Sequence, residues 1–267
     1  MEMTASLRIG LLGRLDLRAG RVPVRIGGRH AQALFGLLAL HPRLRLRDTI
    51  AAELWPDADG PCAGALRQAL WLVRSSFAAT GLVADDWLEA DQDGLGLRRD
   101  VRIELDTDRF ERLALRSADD DPERAIAMYP GDLLEGLGHE CFAAERERLS
   151  DLYEDLLARV AEARLARGDV AGARRAATEL LARDPLREEA HAVLIAVYGR
   201  SGSRSQVVRQ YRRLCSILRM ELAVAPLPET DAAYRAAITR ATVRSLERVA
   251  DLGYERPAFA PILVSSA

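Results

Sequence analysis

Pro61-Cys62-Ala63-Gly64-Ala65-Leu66-Arg67-Gln68-Ala69-Leu70-Trp71-Leu72-Val73-Arg74-Ser75-Ser76-Phe77 is the stretch that decides the N-terminal fold. Leu66, Leu70, Val73 and Phe77 recur at helical spacing and form one apolar stripe, and Pro61 suits a first helical turn. At about 100° per residue the opposite face carries Gly64, Gln68, Trp71 and Ser75, with Leu72 beside them and Arg67 and Arg74 on a flank. A helix with an apolar stripe on one side and polar and cationic side chains on the other has one face to bury and one to present.

Two shorter helices are expected upstream. Leu34, Leu37, Leu38 and His41 fall at helical spacing before Pro42, and Leu46, Ile50 and Leu54 form a second stripe that Trp55-Pro56 ends. Before them Leu7, Ile9 and Leu11 alternate, Leu15 and Leu17 follow, Ala19-Gly20 marks a turn, and Val22, Val24 and Ile26 alternate again. Downstream, Trp87 to Ala90 and Leu95 to Leu97 flank Asp91-Gln92-Asp93-Gly94, a hairpin signal. Strands, three helices and a closing hairpin make a winged helix.

From Asp106 onward the apolar period is helical almost throughout. Gly168 and Gly202 stand 34 residues apart, the period of a tetratricopeptide array, with Asp184-Pro185 between them ending one helical hairpin and Arg187-Glu188-Glu189-Ala190 opening the next. At the same offset Ala158 maps to Ala192 and Ala177 to Tyr211. A degenerate third repeat over Phe110 to Tyr129 gives the three that such arrays require. The fold class expected is an α+β winged-helix domain, residues 1–104, followed by an all-α tetratricopeptide-like domain, residues 105–246, and a tail, residues 247–267, loose or docked.

Composition narrows the function. Of 267 residues, 49% are hydrophobic and 29% charged, ordinary for a soluble globular chain. All 38 cations are Arg. Cys62, Cys141 and Cys215 form no C-x-x-C pair and are read as reduced thiols, which with the absence of a signal-peptide or membrane-spanning pattern gives a cytoplasmic expectation. The net charge of -2 conceals eleven Arg against six acids up to Ala84, a balance suited to a polyanion partner. His30, His41, His139 and His191 are scattered, there is no H-E-x-x-H or G-x-S-x-G, and no Walker lysine exists without Lys. No catalytic residue, metal site or cofactor is expected, and no enzyme.

Both halves resemble bacterial activators of the SARP type, an OmpR-type winged helix followed by a bacterial transcriptional activator domain. The N-terminal resemblance rests on Leu11-Leu12-Gly13, the Ala33-Leu34 to Leu40 helix, Glu53-Leu54-Trp55-Pro56-Asp57 and Ala65-Leu66-Arg67-Gln68-Ala69-Leu70. The C-terminal one rests on Tyr129-Pro130-Gly131-Asp132-Leu133-Leu134-Glu135-Gly136, Asp184-Pro185-Leu186-Arg187-Glu188-Glu189, and Tyr211 through Glu221-Leu222 to Pro226. The chain departs from the family's usual pattern at Trp71-Leu72 and Ser75 on the third helix, at Gly94-Leu95-Gly96-Leu97 on the hairpin, and at Leu46, where a capping Ser or Thr is common.

The resemblance implies double-stranded promoter DNA, typically directly repeated sites, RNA polymerase and a second copy of the chain as partners. A helix in the major groove presents side chains to base edges while cations neutralise phosphates. Gln68 is expected to read a base, Arg67 and Arg74 to hold phosphate, and Arg29, Arg43, Arg45 and Arg47 to add backbone contacts, with Trp71 and Ser75 on the same face. The competing reading is a repeat scaffold whose winged helix has lost DNA affinity and docks protein instead; Trp71-Leu72 and the acidic hairpin (Glu89, Asp91, Asp93) favour it.

Overall fold

The computed structural model describes residues 6–58, 62–115 and 122–251, and divides into two compact units, Met1–Leu156 and Leu157–Ala267. Pro61, the Asp119-Asp120-Asp121 run and the chain after Asp251, including most of the expected tail, lie outside the described residues.

The first unit opens with β1 (Ser6–Gly10), β2 (Asp16–Ala19) and β3 (Val22–Pro23). β1 and β2 form an antiparallel hairpin, and alternation puts Leu7, Ile9 and Leu17 into the core. The third alternating run is a strand only over Val22–Pro23, with one further bond to β2 from the Val24 N–H to the Leu17 carbonyl at 2.8 Å. Val24 and Ile26 are nevertheless buried. Three helices follow, α1 (Arg29–Leu40), α2 (Arg47–Leu54) and α3 (Ala63–Ala78).

The stripe of α3 is buried as its spacing requires, together with Ala69, and meets the inner face of α1. Phe35 of α1 and Phe77 of α3 lie 6.3 Å apart, and Phe77 lies 5.3 Å from Trp87. Leu46 departs from expectation: it is 63% exposed. It ends β4 (Arg45–Leu46) and is the N-cap of α2 in extended conformation, so it does not share the helical phase of Ile50 and Leu54. No side chain caps α2, and Asp48 supplies the only first-turn acid, favourable to the helix dipole by charge. β4 joins the hairpin β5 (Leu88–Ala90) and β6 (Gly94–Leu97) in a second sheet, ordered β4-β6-β5. Three helices with this flanking hairpin make the winged helix.

One strand was not visible in the sequence. β7 (Arg102–Leu105) pairs parallel with β1 and completes the first sheet in the order β3-β2-β1-β7. Immediately after it Asp106 turns its carboxylate back across the sheet end, where Oδ1 accepts the Leu11 N–H at 2.8 Å and Oδ2 the Leu12 N–H at 3.0 Å. Burial raises the Asp106 pKa, and these backbone donors pull the other way.

Two helices, α4 (Asp106–Ala114) and α5 (Pro122–Ala127), then lead to an aromatic cluster in which Tyr129 stacks on Tyr153 at 4.3 Å with Phe110 at 5.1 Å. The loop after Tyr129 docks on the strand exit. Gly13 donates its N–H to the carbonyls of Gly131 and Asp132, Leu134 donates to the Leu11 carbonyl and Glu135 to that of Gly13. Gly13 has φ 79° and Leu134 φ 50°. Two motifs quoted from opposite ends of the resemblance therefore form one hydrogen-bonded seam.

The second unit holds the C-terminal part of α6 (Ala143–Ala166) and α7 (Val170–Arg183), α8 (Glu188–Arg200), α9 (Arg204–Glu221) and α10 (Pro228–Asp251). The turns at the two glycines repeat bond for bond. Asp169 N–H reaches the Arg164 carbonyl and Ser203 N–H that of Tyr198, while Gly168 and Gly202, at φ 83° and 75°, bond to Leu165 and Gly199. This is the same left-handed helix exit at a 34-residue offset. α10 packs on α8 and α9, with Gly199 against Ala237. His191 is buried on α8, one ring nitrogen 3.0 Å from the Pro185 carbonyl and the other 2.8 Å from Gln210 Nε2.

Candidate nucleic-acid interface

Since α3 spends Leu66, Ala69, Leu70, Val73 and Phe77 on the core, its remaining face is open: Arg67 and Gln68 are exposed, and Trp71 is 63% exposed. A groove of about 730 Å³ runs between this helix, the start of α2 and the hairpin tip. α3 contributes Arg67, Trp71 and Arg74, α2 contributes Arg47 and Asp48, and the tip contributes Asp91 to Asp93. Gln68 lies round the helix from the groove, on the outer side with Gly64.

The cations expected at the interface divide by their partners. Arg67 makes no ion pair among the described residues, and Arg43 is exposed and likewise unpaired there. Arg47 donates Nε to the Asp91 carbonyl at 3.0 Å and its backbone N–H to the Asp93 carbonyl at 2.9 Å, fastening the start of α2 to the hairpin tip. Arg74 reaches Asp85 Oδ1 with Nε at 3.1 Å and Nη2 at 2.8 Å, leaving its side chain 42% exposed. Arg45 is forked onto the Glu53 carboxylate, one arm at 3.0 Å, with a side chain only 19% exposed. Arg29, at the start of α1, donates to the Gly136 carbonyl at 2.6 Å, beside the pair His30 and His139. Thus Arg67, Arg47 and Arg74 come together with Trp71 in one groove; Arg29 sits elsewhere on the unit, and Arg45 is committed to Glu53. Ser75 is half-buried, and its carbonyl accepts the Ala79 N–H at the helix end.

Trp71 and Leu72, adjacent in sequence, have different neighbours. Leu72 packs over Gly28, where a Cβ would sit 3.3 Å from Leu72 Cδ1. It is a packing residue between α3 and the start of α1, so of the pair only Trp71 lines the groove, together with the exposed Leu46.

The hairpin's departures also have local causes. Asp91 Oδ1 accepts the N–H groups of Asp93 and Gly94, the Asx turn that shapes the tip. A Cβ on Gly94 would lie 2.7 Å from Leu44 Cγ, and one on Gly96 3.0 Å from the Arg43 carbonyl oxygen and Leu44 Cα. The close approach of the Arg43-Leu44 backbone therefore excludes a side chain from position 96.

Among the described residues no group of three His, Cys, Asp or Glu side chains comes together as a metal site, and no helix is long and apolar enough to cross a membrane. Burial pushes the Cys141 thiol up to about 11, where it is a poor nucleophile at neutral pH.

The bacterial transcriptional activator domain matches residues 105–238, half of the chain. The chain belongs to that family. It is a SARP-type transcription regulator, and the assignment agrees with a fold comparison that extends past the matched segment. EmbR of Mycobacterium tuberculosis, solved in complex with a low-affinity phosphopeptide, superposes with a TM-score of 0.65 over 90% of this chain and 71% of its own, at 23% identity. No curated protein matches the sequence.

Proposed function

We propose that this regulator binds specific promoter DNA through its winged helix, residues 1–104, with α3 in the major groove and the β5–β6 hairpin against the backbone. The observation that carries the reading is the open face of α3, where Arg67 is unpaired beside an exposed Gln68 and Trp71. A B-form major groove admits one helix, Gln can bond bidentately to adenine, and an unpaired Arg at the helix edge suits a phosphate. The helical domain, residues 105–246, serves dimerisation on directly repeated sites and contact with RNA polymerase, as the family assignment supports, in the cytoplasm. The test is a gel shift on DNA upstream of the neighbouring genes, with Arg67→Ala and Gln68→Ala. The reading expects loss of affinity on all sequences for the first and loss of preference between sequences for the second.

The second reading, a winged helix turned to protein docking, is favoured by Trp71 and by the acids at the groove's edge. Two facts weaken it. Asp91 is occupied in its turn and Asp85 is neutralised by Arg74, so the acidic rim is less repulsive than the sequence implies; and Leu72, half of the apolar pair, is engaged inside its own unit.

A further inference from the structure

The second unit carries a charge that the whole-chain balance hides. Residues 157–267 hold 18 Arg against 12 Asp and Glu, whereas the chain as a whole is at -2. Part of this excess converges. A hollow of about 480 Å³ is lined by Arg200 and Ser201 at the end of α8, Arg240 and Arg244 on α10, and Val170 at the start of α7. The open face of α10 runs on from it, sharing Arg240 and Arg244 and adding Arg235, Thr239 and Glu247.

Two of these guanidinium groups are fastened and two are free. Arg200 donates to the Leu165 carbonyl and Arg244 to the Arg200 carbonyl, so each closes a helix end while its other N–H donors keep a fixed direction. Arg235 and Arg240 have no protein partner among the described residues. Two acids lie nearby: Asp169 caps α7 through the Gly172 N–H, and Glu247, on the same α10 face and within a turn of Arg244, offsets one of the positive charges.

We propose that this hollow is a binding site for a small linked-phosphate anion of the pyrophosphate class. Guanidinium forks match phosphate oxygens in pairs, and a held fork loses less freedom on binding than a loose one. Arg240 and Arg244 stand about one turn apart on α10, roughly 6 Å along its axis, and Arg200 faces them from the end of α8, an arrangement that suits two linked phosphates over a single one. Concave sites of a few hundred Å³ are the usual size for small ligands. A duplex meets a surface broadly and needs no such hollow.

The test is calorimetric titration of the full chain with inorganic pyrophosphate and with orthophosphate, on wild type, Arg240→Ala, Arg240→Lys and Arg175→Ala, each first checked by thermal melting. The Arg240 side chain bonds to no described residue, so its removal is expected to leave the fold intact, and Arg175 is an exposed cation of α7 outside the hollow and the α10 face. Pyrophosphate binds more tightly than orthophosphate, Arg240→Ala weakens it by roughly tenfold or more, Arg240→Lys restores part, and Arg175→Ala changes nothing. Absence of binding at millimolar pyrophosphate overturns the proposal, as does an equal loss in Arg175→Ala, which marks diffuse charge. If Arg240→Ala instead leaves pyrophosphate binding unchanged and flattens the salt dependence of duplex binding, the surface contacts nucleic-acid backbone and the proposal is also overturned.

Discussion

Asp106 is bonded to Leu11 across 95 residues of sequence, Oδ1 to N–H at 2.8 Å, and the same carboxylate holds Leu12. The pair fixes the end of β1 at the point where the Gly131 to Glu135 loop also bonds to it, so two distant segments depend on one side chain. Asp106→Ala strips two backbone donors of their acceptor at a buried site, and a destabilisation of about 2 to 4 kcal/mol follows. Asp106→Asn keeps one carbonyl oxygen and costs less. Urea unfolding of the full chain, followed by a signal from the first unit, measures both.

Gly36 lies within α1, where Gly→Ala ordinarily gains up to about 1 kcal/mol. Here a Cβ would lie 2.6 Å from Leu134 Cδ1. Leu134 is fully buried at φ 50° and has nowhere to retreat. Gly36→Ala is therefore expected to destabilise, by about 1 to 3 kcal/mol as overpacking does, and the double variant Gly36→Ala with Leu134→Ala to recover part of that loss. Thermal melts of the two variants decide the sign.

These two sites also mark where sequence reading stops. The stripe of α3 and the 34-residue spacing of Gly168 and Gly202 are local periodicities, and each lies in the sequence as plainly as in the fold. β7 is four residues of alternating charge and aliphatic, Arg102 to Leu105, and its partner β1 is a parallel strand far upstream; nothing local distinguishes it from a linker. The candidate interface divides the same way. Helical phase placed Gln68 and Trp71 on one open face with Arg67 on its flank, but Arg45 to Glu53, Arg74 to Asp85 and Arg29 to Gly136 are partnerships made by tertiary approach, invisible to spacing. Arg200, Arg240 and Arg244 come from two helices, and only packing brings them to one hollow.

The histidines give a pH dependence. Burial, with His30 and Arg29 adding repulsion, lowers the pKa of His139 from its ordinary value, and burial lowers that of His191. A depressed folded pKa means that the unfolded chain takes up the proton first, so stability is full above the ordinary histidine pKa of about 6.5 and is lost as pH falls through the folded values. The Nδ1 of His139 is buried without a partner, which leaves no acceptor for a second proton. Urea unfolding is expected to show lower stability at pH 5.5 than at pH 7.5, with the difference narrowed in His139→Gln. An unchanged difference in that variant would assign the effect to His191.

The arginines of the groove are not equivalent. Arg67→Ala removes an unpaired cation and is expected to lower the log-log salt slope of duplex binding by about one. Arg74 must release Asp85 before it can hold a phosphate, and its removal sets that carboxylate free at the groove. Arg74→Ala is therefore expected to weaken binding partly through the liberated Asp85, and Arg74→Ala with Asp85→Ala to bind better than Arg74→Ala alone. Anisotropy titrations from 50 to 200 mM salt separate the two residues; equal affinity of the single and double variants would remove Asp85 from the account.

Trp71 distinguishes DNA reading from protein docking. Its indole is 63% exposed in a groove shared with Arg67 and Arg74, whereas Trp87 is buried against Phe77. Because so little of Trp71 is packed, Trp71→Ala is expected to change folding stability by no more than about 0.5 kcal/mol. If α3 enters the major groove, a cognate duplex shields this indole, an emission change appears on binding that is missing from Trp71→Ala, and affinity for the duplex falls. If the face docks protein, Trp71→Ala leaves duplex affinity untouched and weakens self-association or polymerase contact instead, because a large aromatic side chain at the centre of an interface commonly supplies 2 kcal/mol or more of its energy, roughly. Measuring melting temperature, duplex affinity and sedimentation on the same variant assigns the side chain to one surface, since the first must stay constant and only one of the other two can carry the main loss.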